Sequence, residues 1–130
     1  MSHAVVLSIG HDSLPMRTRS EILQSAGYKV IPAYSLKEAI AQFLQGDFDV
    51  IILYHTLTEQ QRERITNLIR EHTSLTPILS ISANFRHTDT FSDRTIDSDP
   101  VHLVTGLYEL LRKGEANLRR HGSNGDGNAA

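Results

Sequence analysis

Cysteine is absent from the 130-residue sequence, and long apolar runs are absent as well. Without cysteine the chain can form neither disulfides nor thiolate metal sites. Its longest apolar stretches have the length of a β-strand, far short of the ~20 residues that a membrane-spanning helix needs. These absences exclude disulfide-stabilised, thiolate-metal and membrane-spanning classes of protein.

A strong charge of either sign is also missing. The formal net charge is -2, and the basic residues are scattered, so the sequence has no electrostatic footprint for a nucleic acid. No basic leader precedes the first apolar run, which predicts a cytoplasmic protein without a signal peptide. The composition, 39% apolar and 22% charged, is that of one ordinary globular domain.

Short apolar runs alternate with segments that have helix signals. Asp12 or Ser13, Ser35, Thr58 and Asp99 are candidate helix N-caps, and Ser35 with Glu38 has the spacing of a capping box. Glycines 27, 46 and 114 end three of these helices. The expected strands are residues 4–9, 29–33, 50–53, 77–82 and a short segment around Thr95.

This alternation predicts right-handed crossovers and a parallel sheet with helices on both faces. We predict an α/β three-layer sandwich with five parallel strands in the order 2-1-3-4-5. The run 50–53 has no polar alternation and belongs in the centre, whereas Pro32 places the second strand at an edge. Residues 1–113 would form the domain, and residues 114–130, rich in Gly, Asn and Ser, a disordered tail.

Five phrases occur in order along the chain with regular separations, at residues 6–12, 27–30, 35–39, 49–53 and 76–83. Together they resemble the receiver domain of bacterial two-component response regulators, over about residues 4 to 113. The resemblance implies a CheY-like, flavodoxin-like fold. In that family, acids after the first strand hold Mg²⁺, and an aspartate ending the third strand accepts a phosphoryl group from a histidine kinase. A Ser or Thr ends the fourth strand, and a lysine follows the fifth.

The resemblance breaks at the positions that carry this chemistry. Gly10 and His11 stand where the Mg²⁺-holding acids would be, although Asp12 matches the last acid of the cluster. Tyr54 stands at the phosphoacceptor position, and Ser82 matches the hydroxyl residue of the fourth strand. The segment 95–98 contains no lysine.

Phosphoryl transfer needs a metal and a cation to neutralise charge, and Mg²⁺ requires hard oxygen ligands. A tyrosine hydroxyl has a pKa of about 10 and cannot form an acyl phosphate. We therefore expect a degenerate phosphoacceptor pocket formed by Gly10, His11, Asp12, Tyr54 and Ser82. It would have no catalytic residue, no metal ligand and no cofactor, so that the domain is a pseudo-receiver.

Other candidate sites have ordinary explanations beside the functional ones. His11, Asp12 and His55 could form a transition-metal set, but histidines on a polar rim are commoner. Tyr54 could be a phosphorylation target or a ligand-stacking residue, but we expect it to fill the space that a metal would occupy. On the third helix, Arg62, Arg64 and Arg70 are mixed with glutamates, which predicts a solvated face.

Residues 84–94 have no apolar helical stripe, although the family places a whole helix there. We expect the fourth helix of the family to be shortened or absent and Phe85 and Phe91 to fill the gap. The face through which typical receivers dimerise would then be rebuilt, so that the protein is a monomer or a weak homodimer.

Two classes of function remain open. The first is a stand-alone atypical receiver protein of a phosphorelay, not an enzyme, which acts by binding a histidine kinase or another signalling protein. It would bind neither nucleic acid nor membrane. The second is a small-molecule or metal-binding flavodoxin-like protein, but residues 10–13 lack the hydroxyl-rich phosphate cradle of a flavin site. Flavin or cobalamin absorbance of the purified protein distinguishes the two.

Overall fold

A computed structural model of the chain describes residues 4–73, 75–82, 92–97 and 99–112. Its strands are β1 (Val5–Ile9), β2 (Lys29–Ala33), β3 (Val50–Leu53), β4 (Ile78–Ile81) and β5 (Arg94–Ile96). Its helices are α1 (Leu14–Ser25), α2 (Leu36–Gln45), α3 (Glu59–His72) and α4 (residues 100–112).

The five strands form one parallel sheet in the order β2-β1-β3-β4-β5, as the alternation of elements predicts. β3 lies in the middle, and all four of its residues are buried. Pro32 lies in the edge strand β2, opposite Ser8 of β1. Proline has no N–H to donate, and an edge strand tolerates this because one of its sides has no neighbouring strand. The predicted fold class and strand order are confirmed.

Helices cover both faces of the sheet, since successive strand residues point to opposite sides. One face packs against α1 and α4, and the other packs against α2 and α3. The first core contains Val6, Val50, Ile52, Leu79 and Ile81 of the sheet with Met16, Leu23, Leu103, Leu107 and Leu110 of the helices. The second contains Leu7, Ile9, Ile51, Leu53 and Ile78 with Ala39, Ile65 and Ile69.

The predicted helix caps form, with one difference. Thr58 and Gln61 make a complete capping box, in which each side chain accepts the other residue's backbone N–H at 3.1 and 3.0 Å. Ser35 accepts the N–H of Glu38 at 3.1 Å, but the Glu38 carboxylate accepts from Tyr34, one residue before the cap. Both arrangements satisfy N–H groups that the first helical turn leaves open.

The prediction of a solvated arginine face on α3 is wrong for two of its three arginines. Arg64 is exposed, but Arg62 is 7% exposed and lies on the buried side of the helix. Arg70 donates to the carbonyl oxygen of Thr76 at 2.7 Å and to the carboxylate of Asp93 at 2.6 Å. Arg62 precedes Ile65 and Ile69 by three and seven residues, a spacing that puts all three on one side of a helix.

Asp93 joins the starts of two strands. Its carboxylate accepts the N–H of Ile78 at 2.7 Å, and its own N–H donates to the carbonyl oxygen of Ile78 at 2.9 Å. Arg70, near the end of α3, donates to the same carboxylate and so links the helix to both strands. One arginine therefore connects the end of α3 with the segments that lead into β4 and β5.

Replacing Arg70 with alanine should lower the free energy of unfolding by about 1–3 kcal/mol, the usual cost of losing hydrogen bonds to a charged group. Chemical denaturation followed by circular dichroism measures the change. The matched control is Arg64→Ala on the exposed side of the same helix, which should change stability by less than about 0.5 kcal/mol. Equal effects of the two substitutions would contradict the role given to Arg70.

Some predictions fall outside the described residues. These are the loss of the family's fourth helix, the packing of Phe85 and Phe91, the helix end at Gly114, and the tail 114–130. Within the described residues, no helix combines the length and apolarity needed to cross a membrane.

Candidate functional site

The candidate site lies where β1 and β3 end side by side. Ile9 and Leu53 are register partners, so the residues that follow them, Gly10 and Tyr54, are neighbours at the carboxyl edge of the sheet. The N–H of Tyr54 donates to the carbonyl oxygen of Ile9 at 2.9 Å, which continues the strand pairing by one residue. Ligands of doubly wound sheets bind at this edge.

Gly10 has no room for a side chain. A Cβ atom at this position would lie 2.8 Å from the Cβ of Tyr54, 3.0 Å from the Oγ1 of Thr56 and 3.3 Å from the Sδ of Met16. The nearest of these atoms is the root of a side chain, so it can move only if the backbone moves. The glycine is required by this contact, and an acid could not replace it without displacing the loop that follows β3.

A hydrogen bond ties the two strand-end loops together. The N–H of His11 donates to the Oγ1 of Thr56 at 3.0 Å. With the contact between Gly10 and Tyr54, this bond closes the space between the loops.

Asp12, the remaining acid of the predicted pocket, has a partner outside it. Arg17, one turn into α1, donates to both carboxylate oxygens of Asp12 at 2.8 and 2.6 Å. This bidentate hydrogen bond, aided by the positive charge of Arg17, holds the pKa of the Asp12 carboxyl below its usual range. The Asp12 side chain is 44% exposed, so the pair lies at the surface.

Tyr54 is a core residue although it follows the strand end. It is 1% exposed and packs with Met16, Leu79 and Ile81 on the face covered by α1 and α4. Burial raises the pKa of Tyr54 to about 12, so the phenol stays protonated at physiological pH. Its hydroxyl makes no hydrogen bond of normal geometry to any described residue, although Ser8 and Ser20 lie close enough to oppose the pKa rise.

Two buried arginines flank His55, the residue after Tyr54. Arg19 of α1 and Arg62 of α3 are each 7% exposed. Burial lowers the pKa of His55, and the charges of both arginines lower it further, so the imidazole is neutral at physiological pH. The Nδ1 atom of His55 is buried without a hydrogen-bond partner among the described residues.

Sequence reasoning missed Arg19 and misplaced Arg62. The missed signal is positional, because Arg19 lies three residues after the buried Met16 and four before the buried Leu23. Both arginines thus occupy apolar stripes of their helices. A long side chain at such a position can bury its aliphatic part against the apolar surface while its charged group reaches the border of that surface.

The fourth and fifth strands end as the sequence predicts. Ser82 follows β4, is 4% exposed, and donates its N–H to the carbonyl oxygen of Ile96 at 2.9 Å. After β5 the chain continues with Asp97, where the family resemblance implies a lysine. The Asp97 carboxylate contacts the Nδ1 atom of His102 in α4.

The structure does not bring together His11, Asp12 and His55, which the sequence left as a possible but less common metal set. In the described part of the chain, no three His, Cys, Asp or Glu side chains are grouped so that they could hold a metal ion. Asp12 instead faces Arg17.

Strand order, helices on both faces and a ligand edge after β1 and β3 define the fold of CheY-like receiver domains, and solved structures agree. A receiver domain protein of Methanospirillum hungatei is 16% identical with a TM-score of 0.78, covering 89% of this chain and 99% of its own. The chemotaxis response regulator CheY4 of Vibrio cholerae is 25% identical, TM-score 0.71, covering 84% and 99%. TrrA of Thermotoga maritima, in complex with Mg²⁺-BeF, is 18% identical, TM-score 0.72, covering 82% and 98%.

These likenesses confirm the receiver fold inferred from the sequence phrases. No family model matches the sequence, and no curated protein matches it. The fold is therefore that of a response-regulator receiver domain, while the chemistry has to be argued from the residues at the edge of the sheet.

Replacing Gly10 with alanine should lower the free energy of unfolding by about 1–3 kcal/mol, since overpacking a closed space costs this much. Thermal or chemical denaturation measures it. The control is Gly46→Ala, where the added Cβ meets the outer ring atoms of Phe48, which can turn away. If Gly10→Ala were as mild as Gly46→Ala, the loops would not be in contact as described.

Replacing Tyr54 with phenylalanine should leave stability unchanged within about 0.5 kcal/mol or raise it, because the hydroxyl that is removed is buried without a normal hydrogen bond. Tyr54→Asp should cost about 3–5 kcal/mol, since it removes a large core side chain and buries a carboxyl. Denaturant titration of both variants gives the comparison. A clear loss in Tyr54→Phe would mean that the hydroxyl has a structural partner.

Proposed function

We propose that this chain is an atypical receiver protein of two-component signalling that acts by binding a protein partner and does not accept a phosphoryl group. The observation that carries the proposal is the contact between Gly10 and Tyr54. It fills the edge of the sheet where the family resemblance implies Mg²⁺ and the acceptor aspartate. We further propose that the pocket of Gly10, His11, Asp12, Tyr54 and Ser82 is degenerate and has no catalytic role.

Charge balance at this edge supports the proposal. Phosphoryl transfer needs a divalent cation held by oxygen ligands, and Mg²⁺ requires near-octahedral geometry. Asp12 is already paired with Arg17, and two further arginines are buried in the adjoining helices. These positive charges disfavour a divalent metal cation, and one exposed carboxylate does not supply its coordination.

The phenol of Tyr54 is also chemically unsuited to the acceptor role. An acyl phosphate needs a carboxylate nucleophile, whereas this hydroxyl is protonated, 1% exposed and directed into the core. A phosphoryl donor would have to open the packing around Met16 and Ile81 to reach it. The receiver fold is thus retained without access to its usual reaction.

Incubation with acetyl phosphate and Mg²⁺ should leave the intact mass of the protein unchanged. A receiver domain with an acceptor aspartate, treated in parallel, is the positive control. Magnesium titration followed by NMR should leave the amide signals of Asp12 and His11 in place up to millimolar concentrations. A mass increase of one phosphoryl group on the wild-type protein, or saturable shifts at Asp12, would overturn the proposal.

Tyr54→Asp by itself should not restore labelling, because the metal ligands at positions 10 and 11 are still missing. Circular dichroism shows whether this variant is folded under the labelling conditions. Labelling of a folded Tyr54→Asp protein would show that the edge of the sheet can hold Mg²⁺ despite Gly10 and His11.

The interaction half of the proposal has its own test. The partner we propose is a histidine kinase or another component of a signalling pathway, bound in the cytoplasm. Titration calorimetry against purified kinases and response regulators of the native cell should find a partner whose affinity is the same with and without acetyl phosphate. Affinity that rises on addition of the phosphoryl donor, or no binding to any of these proteins, would contradict it.

A further inference from the structure

Strand β5 and helix α4 are joined by contacts that run along the whole strand. The helix backbone lies directly on the strand at Gly106, where an added Cβ would be 3.1 Å from the Cγ2 of Ile96. Ion pairs lie on either side of this close approach. The three successive contacts are Arg94 with Glu109, Ile96 with Gly106, and Asp97 with His102.

The contact between Asp97 and His102 is built into the start of α4. The Nδ1 atom of His102 lies 2.7 and 2.9 Å from the two oxygens of the Asp97 carboxylate. The same carboxylate accepts the N–H of Asp99 at 3.0 Å, and the Asp99 carboxylate accepts the N–H of Val101 at 3.0 Å. A chain of hydrogen bonds therefore runs from the end of β5 through the cap of α4 to its first turn.

His102 is the member of this chain that titrates near neutral pH. The first turn of a helix is an unfavourable place for a cation, because the free N–H groups there carry partial positive charge. The hydrogen bond and charge of Asp97, aided by the charge of Asp99, nevertheless raise the pKa of His102 above its usual range, against the opposing effect of desolvation.

A second ion pair between β5 and α4 lies away from His102. Among the described residues of β5 and α4, Arg94 and Glu109 form the ion pair at the far end of the strand. Glu109 is seven residues, or two helical turns, beyond His102. Asp97 and Asp99 are thus the described charged groups that act on the imidazole.

We propose that Asp97 and His102 form a pH-sensitive latch that fixes the first turn of α4 on the end of β5 when the imidazole is protonated and loosens it when the proton is lost. Loss of the proton removes the charge from the pair and leaves at most one neutral N–H···O bond. The close approach between Ile96 and Gly106 lies one turn further along the helix, so the environment of both residues should change when the latch opens.

The pH window follows from the signs of the two pKa shifts. Asp97 has a lowered pKa, because it accepts from His102 and from the N–H of Asp99, so it stays ionised down to acid pH. His102 has a raised pKa, so its contribution is fully present below its unfolded value and is lost as pH rises through its folded value. The latch is closed in mildly acidic solution and opens on the alkaline side of the ordinary histidine pKa.

NMR titration of the full chain between about pH 5.5 and 8.5 tests the latch. The imidazole signals of His102 should titrate with a midpoint above that of the unfolded chain. The amide signal of Gly106 and the methyl signals of Ile96 should shift with the same midpoint. In Asp97→Asn, the His102 midpoint should move to lower pH.

Two further variants separate a latch from a local ion pair. In His102→Gln, which keeps a neutral donor, the signals of Ile96 and Gly106 should no longer titrate in this range. In His72→Gln, which removes an exposed histidine of α3, they should titrate as in the wild type. An unchanged His102 midpoint in Asp97→Asn would overturn the proposal, and so would a His102 titration that Ile96 and Gly106 do not follow.

Discussion

The approach of Gly10 to Tyr54 is the constraint on which the candidate site depends. Parallel pairing of β1 and β3 brings the residues after Ile9 and Leu53 side by side, and the Cβ of Tyr54 with the Oγ1 of Thr56 then occupies the space that a side chain at Gly10 would need. No side chain fits at position 10 unless the loop after β3 moves, so an acid is excluded at this position. Packing as well as composition therefore supports the proposal that this edge lacks the usual chemistry of a receiver.

Electrostatics at this edge agree with the packing. The remaining carboxylate, Asp12, is paired at the surface, and Arg19 and Arg62 bring positive charge from the helices on either face. His55 responds to both arginines and stays neutral. A low number of carboxylates and the presence of buried arginines act in the same direction, because each disfavours a bound divalent metal.

The fold could be predicted from the sequence because its signals are local. The capping pair of Thr58 and Gln61, the turn at Gly27 and the apolar run of β3 each specify structure over a few residues. The side-chain directions at the site could not be predicted in this way. Arg62 is charged and stands among glutamates in the sequence, and only the packing of α3 on the sheet shows that it is buried.

A receiver scaffold can lose its reaction and keep its fold because the two depend on different residues. The sheet is held by apolar contacts on both faces, and structures 16 to 25% identical to this chain share it. Clustered acids at a sheet edge repel one another when no metal is bound, so they weaken a fold for the sake of function. Tyr54, which stands where the family resemblance implies an acid, adds apolar packing at this edge and no such repulsion. The function we propose, binding without phosphoryl transfer, would therefore favour the residues found at positions 10 and 54.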